Sequence, residues 1–316
     1  MSTQMKAAFF EEFGESGNIK YGNIDKPEPG EGEVLIQIEA AGVNPVDAAV
    51  AKGMLNEAIP ATFPAIPGWD VAGTVKQRGH SARRFKEGDK VYAYARRPEV
   101  KDGTFAEYIA IPESYVAKRP ERLTAEESGG VPLVGLTAYQ ALFDAGELQE
   151  GETVLILGAS GGVGSMAIQL AKWKGANVIG VAGSSNQEYM QKLGADETID
   201  YSKGDVGEAV RKTEPSGVDM IFHCSRGNSL AQSADTLKEN GRLISITNSN
   251  PDRRDDLFFE YVFVEPNAVQ LEHLAELADN GHLSVHVSKT YDLNETGKAL
   301  SEIEKLHTRG KIIITP

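Results

Sequence analysis

The sequence predicts an α/β chain in which a doubly wound parallel sheet is joined to a compact β-barrel. Three observations carry that prediction. Val154-Leu-Ile-Leu runs straight into the glycine-rich turn Gly158-Ala-Ser160-Gly161-Gly162-Val163-Gly164, and the turn opens the helical pattern Ser165–Ala171. From about residue 125 to 264, strand and helix patterns alternate, as in a βαβ series. Before that, short apolar strands alternate with Gly and Pro turns, which is barrel-like.

Taken in order, Val34–Ala40, Gly73–Lys76, Gly88–Tyr94 and Ala106–Ile111 read as barrel strands. Pro27, Pro29, Pro45, Pro60, Pro64, Pro67 and Pro98 punctuate them. Thr124-Ala-Glu-Glu127 is a capping box that starts a helix. Strands are predicted at 153–157, 177–182, 218–222 and 241–246, with helices between them. Amphipathic helices follow at about 267–280 and 294–306, and Lys311–Thr315 closes the chain as a strand.

The glycine turn has the chemistry of a Rossmann dinucleotide site. Gly161, Gly162 and Gly164 let backbone approach a pyrophosphate and let the helix pack on its strand. The helix N-terminus offers unpaired N–H groups and a positive dipole end. Ser160 and Val163 complete the loop. About 20 residues on, an NAD site usually carries an acidic residue for the ribose 2′-hydroxyl. Here the sequence is Gly183-Ser184-Ser185-Asn186, with no carboxylate to repel a 2′-phosphate and two hydroxyls to bond it. The expected Lys or Arg is absent: Gln187 and Glu188 follow, and Lys192 is one turn further on. NADP(H) is the expected coenzyme. Helix capping is the alternative role for the two serines.

At 316 residues the chain has room for two cored domains. With 41% hydrophobic residues, it has no apolar run near the ~18 that span a bilayer, so a soluble protein is expected. Met-Ser-Thr-Gln-Met-Lys lacks the apolar core of a secretory leader. Cys224 is the single cysteine, which excludes an internal disulfide and a multi-thiolate zinc site. A cytosolic compartment is expected from these features. A net charge of −14 argues against nucleic acid and anionic membranes as partners.

Six segments in order resemble the zinc-free branch of the medium-chain dehydrogenase/reductases, the quinone oxidoreductase and enone (alkenal) reductase group. They are Ala41-Gly-Val-Asn44-Pro45-Val-Asp47, Pro67-Gly-Trp69-Asp70-Val-Ala-Gly73, Phe85-Lys-Glu-Gly88-Asp89-Lys-Val91, Pro132-Leu-Val-Gly135-Leu-Thr137-Ala138, the Gly158–Gly164 loop and Arg309-Gly-Lys311-Ile-Ile. The resemblance spans essentially the whole chain. It implies a GroES-like β-barrel catalytic domain from residues 1–124 and 266–316, a Rossmann domain from 125–265, and a homodimer. Zinc-containing relatives carry a cysteine where this chain has Asn44 and a histidine where it has Trp69, and their structural lobe needs four cysteines. No metal site is therefore expected. His223, His273, His282, His286 and His307 fall in segments that read as strand or helix, and His80 in a turn; all six read as surface or satisfied structural residues.

The resemblance also assigns roles. Asn44 lies beside the nicotinamide and Thr137 contacts its ring region. Tyr201 matches a tyrosine near the adenosine phosphate, and Lys311 a basic residue at the cofactor end of the tail. Asp47 braces the loop or takes part in catalysis. Lys52, eight residues past Asn44 in a polar stretch, is a candidate donor to an enone oxygen; a surface lysine is the alternative. Tyr94 is a second candidate donor or an outward barrel residue. Ala49 and Leu55 replace tyrosines of bacterial quinone reductases, which opens the pocket. His223-Cys224-Ser-Arg-Gly227 replaces an Asp-rich turn, and Cys224 reads as a small buried side chain.

The expected reaction is hydride transfer from NADPH to a small conjugated carbonyl or a quinone, since a protein without a metal mainly positions its reactants. A one-electron quinone reductase is a second enzyme reading. A non-catalytic NADPH-binding protein is the reading from another class.

Overall fold

The computed structural model describes residues 3–251 and 257–316, so the first two residues of the segment read for a leader lie outside the described residues. The strands are β1 (Gln4–Phe9), β2 (Lys20–Asp25), β3 (Glu33–Val43), β4 (Asp70–Arg78), β5 (Lys90–Tyr94), β6 (Tyr108–Pro112) and β7 (Val116–Lys118), then β8 (Thr153–Leu157), β9 (Asn177–Ala182), β10 (Glu197–Asp200), β11 (Val218–His223), β12 (Leu237–Ser245) and β13 (Phe258–Tyr261), and finally β14 (Val287–Asp292) and β15 (Lys311–Thr315). The helices are α1 (Pro45–Ala51), α2 (Ala125–Gly129), α3 (Pro132–Tyr139), α4 (Gly162–Lys174), α5 (Gln187–Lys192), α6 (Val206–Thr213), α7 (Ser229–Ser233), α8 (Ala268–Asp279) and α9 (Thr296–Ile303). By contact the chain divides into two units, Met1–Leu133 with Glu265–Pro316, and Val134–Val264.

In the first unit, β3 is the hub. It pairs antiparallel with β4, β6 and β15, and the sheet runs β14-β15-β3-β4-β5-β7. Val34, Ile36 and Ile38 alternate along one face of β3 into a core with Val71, Val75, Val91, Phe105, Ile109, Ile312 and Ile314. The return of the chain through β15 places residues more than 240 positions apart beside Val43 and Asn44.

In the second unit all pairings are parallel, in the order β10-β9-β8-β11-β12-β13. Numbered from β8, that is the 3-2-1-4-5-6 order of the Rossmann fold. β8 is buried along its whole length, as a central parallel strand covered on both faces should be. Helix α4 ends at Gly175 in the left-handed conformation (φ 87°), with Lys172 and Lys174 in the last turn. The fold is thus α/β, a Rossmann sheet and a barrel-like sheet domain.

The strands read at 153–157, 177–182 and 311–315 have those bounds in the structure. No strand is expected from sequence at β1, β2, β7, β10, β13 or β14; β1 and β2 form a separate two-stranded sheet, and each of the other four is the edge of its sheet. None of the four residues of β10 is fully buried, and four of six in β14 are exposed, so neither shows an apolar alternation. His282, His286 and His307, read as lying on helix or strand, are in loops, because the flanking helices end at Asp279 and Ile303.

Candidate active site

The second unit has a glycine-rich turn that leads β8 into α4. Helix α4 has Gly161 at its N-cap, and no side chain caps the helix. Gly162 and Val163, half-buried residues, begin the first turn at the positive end of a 13-residue helix. A methyl added at Gly164 would stand 2.3 Å from the Gly158 carbonyl oxygen, so only glycine lets α4 start this close to the loop. At Gly161 the same methyl would meet nothing nearer than 3.5 Å, which leaves its outer side open to a ligand. The loop follows β8, whose neighbours β9 and β11 lead off in opposite directions through the sheet. That is the topological switch point where such folds bind ligands. The donor set fits a pyrophosphate.

At the end of β9, Ser184 donates its hydroxyl to the Asp200 carboxylate on the neighbouring strand. A carboxylate is therefore present at Ser184, contrary to the expectation from sequence. β10 pairs with β9 in a register that sets Asp200 opposite Ala182, two residues before Ser184. Had β10 been read as a strand, the sheet order would have revealed this neighbour. The Ser184 and Ser202 hydroxyls hold the Asp200 carboxyl down at about 2. Tyr201 is half-exposed, its hydroxyl 3.4 Å from where a methyl on Gly183 would sit. Lys192 is paired with Glu188 at 2.7 Å on α5.

In the first unit, Asn44, Asp47, Asp70 and Lys311 form one buried polar cluster, each no more than 3% exposed. Pro45 begins α1, and Asp47 at its third position accepts the Asn44 backbone N–H at 2.7 Å. The Asn44 amide is turned the other way. Its Nδ2 donates to Asp70 Oδ2 (2.8 Å), and its Oδ1 accepts from Lys311 Nζ (2.6 Å). Lys311 also donates to the Val43 carbonyl (3.1 Å) and to Asp70 Oδ2 (3.3 Å), and the Leu133 N–H donates to Asp70 Oδ1 (2.7 Å). Gly42 makes the room: a methyl there would stand 2.8 Å from Asp70 Oδ2.

Burial raises the Asp70 carboxyl above its ordinary value, opposed by the Lys311 ammonium. Burial pushes Asp47 up to about 8, against the Asn44 N–H, and the Asp70 charge adds to the rise. Asp47 Oδ1 has no partner. Tyr94, read as a donor or an outward residue, is fully buried and points inward, with its ring edge-on to Trp69 at 6.1 Å. Its hydroxyl has no partner, and burial raises its pKa above the ordinary tyrosine value.

The structure therefore joins Asn44 to Lys311 and adds Asp70, which the sequence showed only as part of a motif. Lys52 is not in this cluster. It caps the end of α1, its ammonium held by Glu304 at 2.5 Å and Glu15 at 2.9 Å. Thr137 is buried on α3 in the second unit. Cys224 keeps part of its surface accessible, but its thiol donates to the Leu157 carbonyl (3.0 Å) and desolvation pushes it up to about 12. His223 differs from the satisfied histidine expected. Nδ1 lies 3.1 Å from Ser245 Oγ, while buried Nε2 has no partner; desolvation lowers its pKa and favours the neutral ring. Among the described residues, no group of three or more His, Cys, Asp or Glu is placed to hold a metal ion.

Comparison with known proteins agrees with this geometry. Residues 30–121 match the alcohol dehydrogenase GroES-like domain family, and residues 193–314 match the zinc-binding dehydrogenase family. The chloroplast envelope quinone oxidoreductase homolog of Arabidopsis thaliana is 33% identical, over 96% of this chain and 95% of that protein. The chloroplastic NADPH-dependent alkenal/one oxidoreductase of the same plant is 31% identical, over 99% of this chain and 80% of that one. The quinone oxidoreductase of Coxiella burnetii superposes with a TM-score of 0.87 at 30% identity, covering 99% of each chain. The cytosolic expectation is corrected by these relatives, since both plant proteins are chloroplastic. Two matched domains, whole-length relatives, a Rossmann sheet with its glycine-rich turn and a separate barrel-like unit place this chain in the medium-chain dehydrogenase/reductase family, as a nicotinamide-dependent oxidoreductase.

Proposed function

We propose that the chain is an NADPH-dependent, zinc-independent reductase of conjugated carbonyls or quinones. The observation that carries this reading is the uncapped N-terminus of α4 at Gly161–Gly164, built at the switch point of a 3-2-1-4-5-6 sheet. When bound, a reduced nicotinamide supplies the hydride. The protein supplies position. Gly161, Gly162, Val163 and Gly164 offer backbone to the pyrophosphate, with Ser160 at the loop's edge, and Ser184, Ser185 and Tyr201 form the adenosine-ribose corner. Asn44 and Thr137 are proposed at the nicotinamide end, with Lys311 and Asp70 fixing the Asn44 amide. NADP(H) is proposed because a similar protein is an NADPH-dependent alkenal/one oxidoreductase.

Zinc independence is proposed on the donor set. Asn44 and Trp69 stand where zinc-bearing relatives carry cysteine and histidine, and Cys224 is the single thiol. A homodimer is proposed from β13, at the edge of its sheet among the described residues, where Phe258 and Tyr261 are 48% and 39% exposed.

The test is loss of nicotinamide absorbance with NADPH or NADH against a small enone and a small quinone, with EDTA present. Turnover in EDTA supports the reading. Loss of turnover in EDTA overturns zinc independence, and tight coenzyme binding with no turnover on any acceptor favours a non-catalytic role.

A further inference from the structure

The corner where β9 and β10 end has an unusual hydrogen-bond polarity. The Ser184 hydroxyl donates to Asp200 Oδ2. The Ser202 hydroxyl donates to Asp200 Oδ1 at 2.7 Å, and its backbone N–H donates to the same oxygen at 3.0 Å. The two serine oxygens are 3.1 Å apart. A hydroxyl has one proton to give and two lone pairs to offer, and an ionised carboxylate only accepts. Both hydroxyl protons are already committed to Asp200, so the corner presents acceptors to a ligand.

A ribose 2′-hydroxyl is a donor and matches that surface. A 2′-phosphate is an acceptor and a dianion; it finds neither hydroxyl proton free and meets a carboxylate. Cations do not reverse this balance. Lys203 Nζ lies 3.5 Å from Asp200 Oδ2, but its side chain is 75% exposed, where solvent screens it. Lys192 is held by Glu188. With its carboxyl held down at about 2 by the serine hydroxyls, Asp200 is ionised at neutral pH.

We infer that Asp200 is the coenzyme-selectivity residue of this chain: by taking the hydroxyl protons of Ser184 and Ser202 it makes the ribose corner an acceptor, so NADH serves as coenzyme alongside NADPH. This rests on the reading of the Gly161–Gly164 cradle as a dinucleotide site. Asp200 acts here on the ribose end and has no part in the hydride step.

The test is calorimetric binding of AMP and of adenosine 2′,5′-bisphosphate to the full chain; the pair differs only in the 2′-phosphate. In the wild type the two affinities are expected within about tenfold of each other. Asp200→Asn removes the charge while keeping an acceptor for the Ser202 N–H, and it should tighten the bisphosphate about tenfold without tightening AMP. Ser184→Ala should weaken AMP and leave the bisphosphate unchanged. An unchanged affinity ratio in Asp200→Asn overturns the inference, and so does a Ser184→Ala variant that loses the bisphosphate. Should Asp200→Asn not fold, the Ser184→Ala comparison decides by itself. If the wild type binds neither nucleotide, the dinucleotide reading falls and takes the inference with it; if both bind and the variants do nothing, only the inference falls.

Discussion

Lys311 Nζ lies 2.6 Å from Asn44 Oδ1 across 267 residues of sequence, and both side chains are buried. The contact makes the final strand part of the Asn44 loop. It also explains how an ammonium is tolerated there: Asp70, Asn44 and the Val43 carbonyl satisfy it between them. Such a cluster is far costlier to break than to keep, because removing one partner leaves a buried charge unpaired.

Lys311→Met is therefore expected to destabilise the chain by about 3–5 kcal/mol, through the uncompensated Asp70 carboxylate. Urea unfolding measures it. The double variant Lys311→Met with Asp70→Asn should recover much of the loss, and a double variant no better than the single would show that the two do not act as a pair.

Asp47 gives stability a pH dependence of defined sign. Its folded pKa of about 8 is raised above the unfolded value, so its contribution is complete below about pH 4 and is lost as the pH rises toward 8. The slope from this one group approaches about 1.4 kcal/mol per pH unit at most. Asp47→Asn should flatten the wild-type decline between pH 6.5 and 8, a window above the range of the lowered carboxyls Asp200 and Glu304. Thermal melts across that window check it; parallel curves for the two proteins would refute the assignment.

Two glycines of the cradle should separate in their effects. Gly164→Ala drives a methyl to 2.3 Å from the Gly158 carbonyl and should cost about 1–3 kcal/mol of stability, with coenzyme binding lost as the loop shifts. Gly161→Ala has space on the protein side, so it should fold normally and bind coenzyme at least about tenfold more weakly. Chemical denaturation and fluorescence titration with NADPH distinguish the two.

Lys52 offers the reverse test. Its ammonium is engaged by Glu304 and Glu15, so Lys52→Ala should leave kcat within about twofold of wild type. A fall of about a hundredfold would instead make it a general acid or oxyanion donor.

The strand–turn–helix from Val154 to Ala171 was legible because its information is local: an apolar run of one period, glycines that only a tight turn needs, then an apolar run of another. β8, β9 and β15 were read to their exact ends for the same reason, since buried strands bounded by polar residues mark themselves. Edge strands β10, β13 and β14 carry no such mark, because nearly all their residues are exposed or only half-buried. The sequence by itself thus determined the two kinds of sheet, the cradle and the loop of Asn44. Only the tertiary structure decided the partners. Pairing of β15 with β3 brings Lys311 to Asn44, pairing of β10 with β9 brings Asp200 to Ser184, and packing of α9 near α1 gives Lys52 its carboxylate. Each of these contacts joins segments whose own periodicity is silent about the other, because sheet order and helix packing are set by the burial of whole faces and not by any single residue.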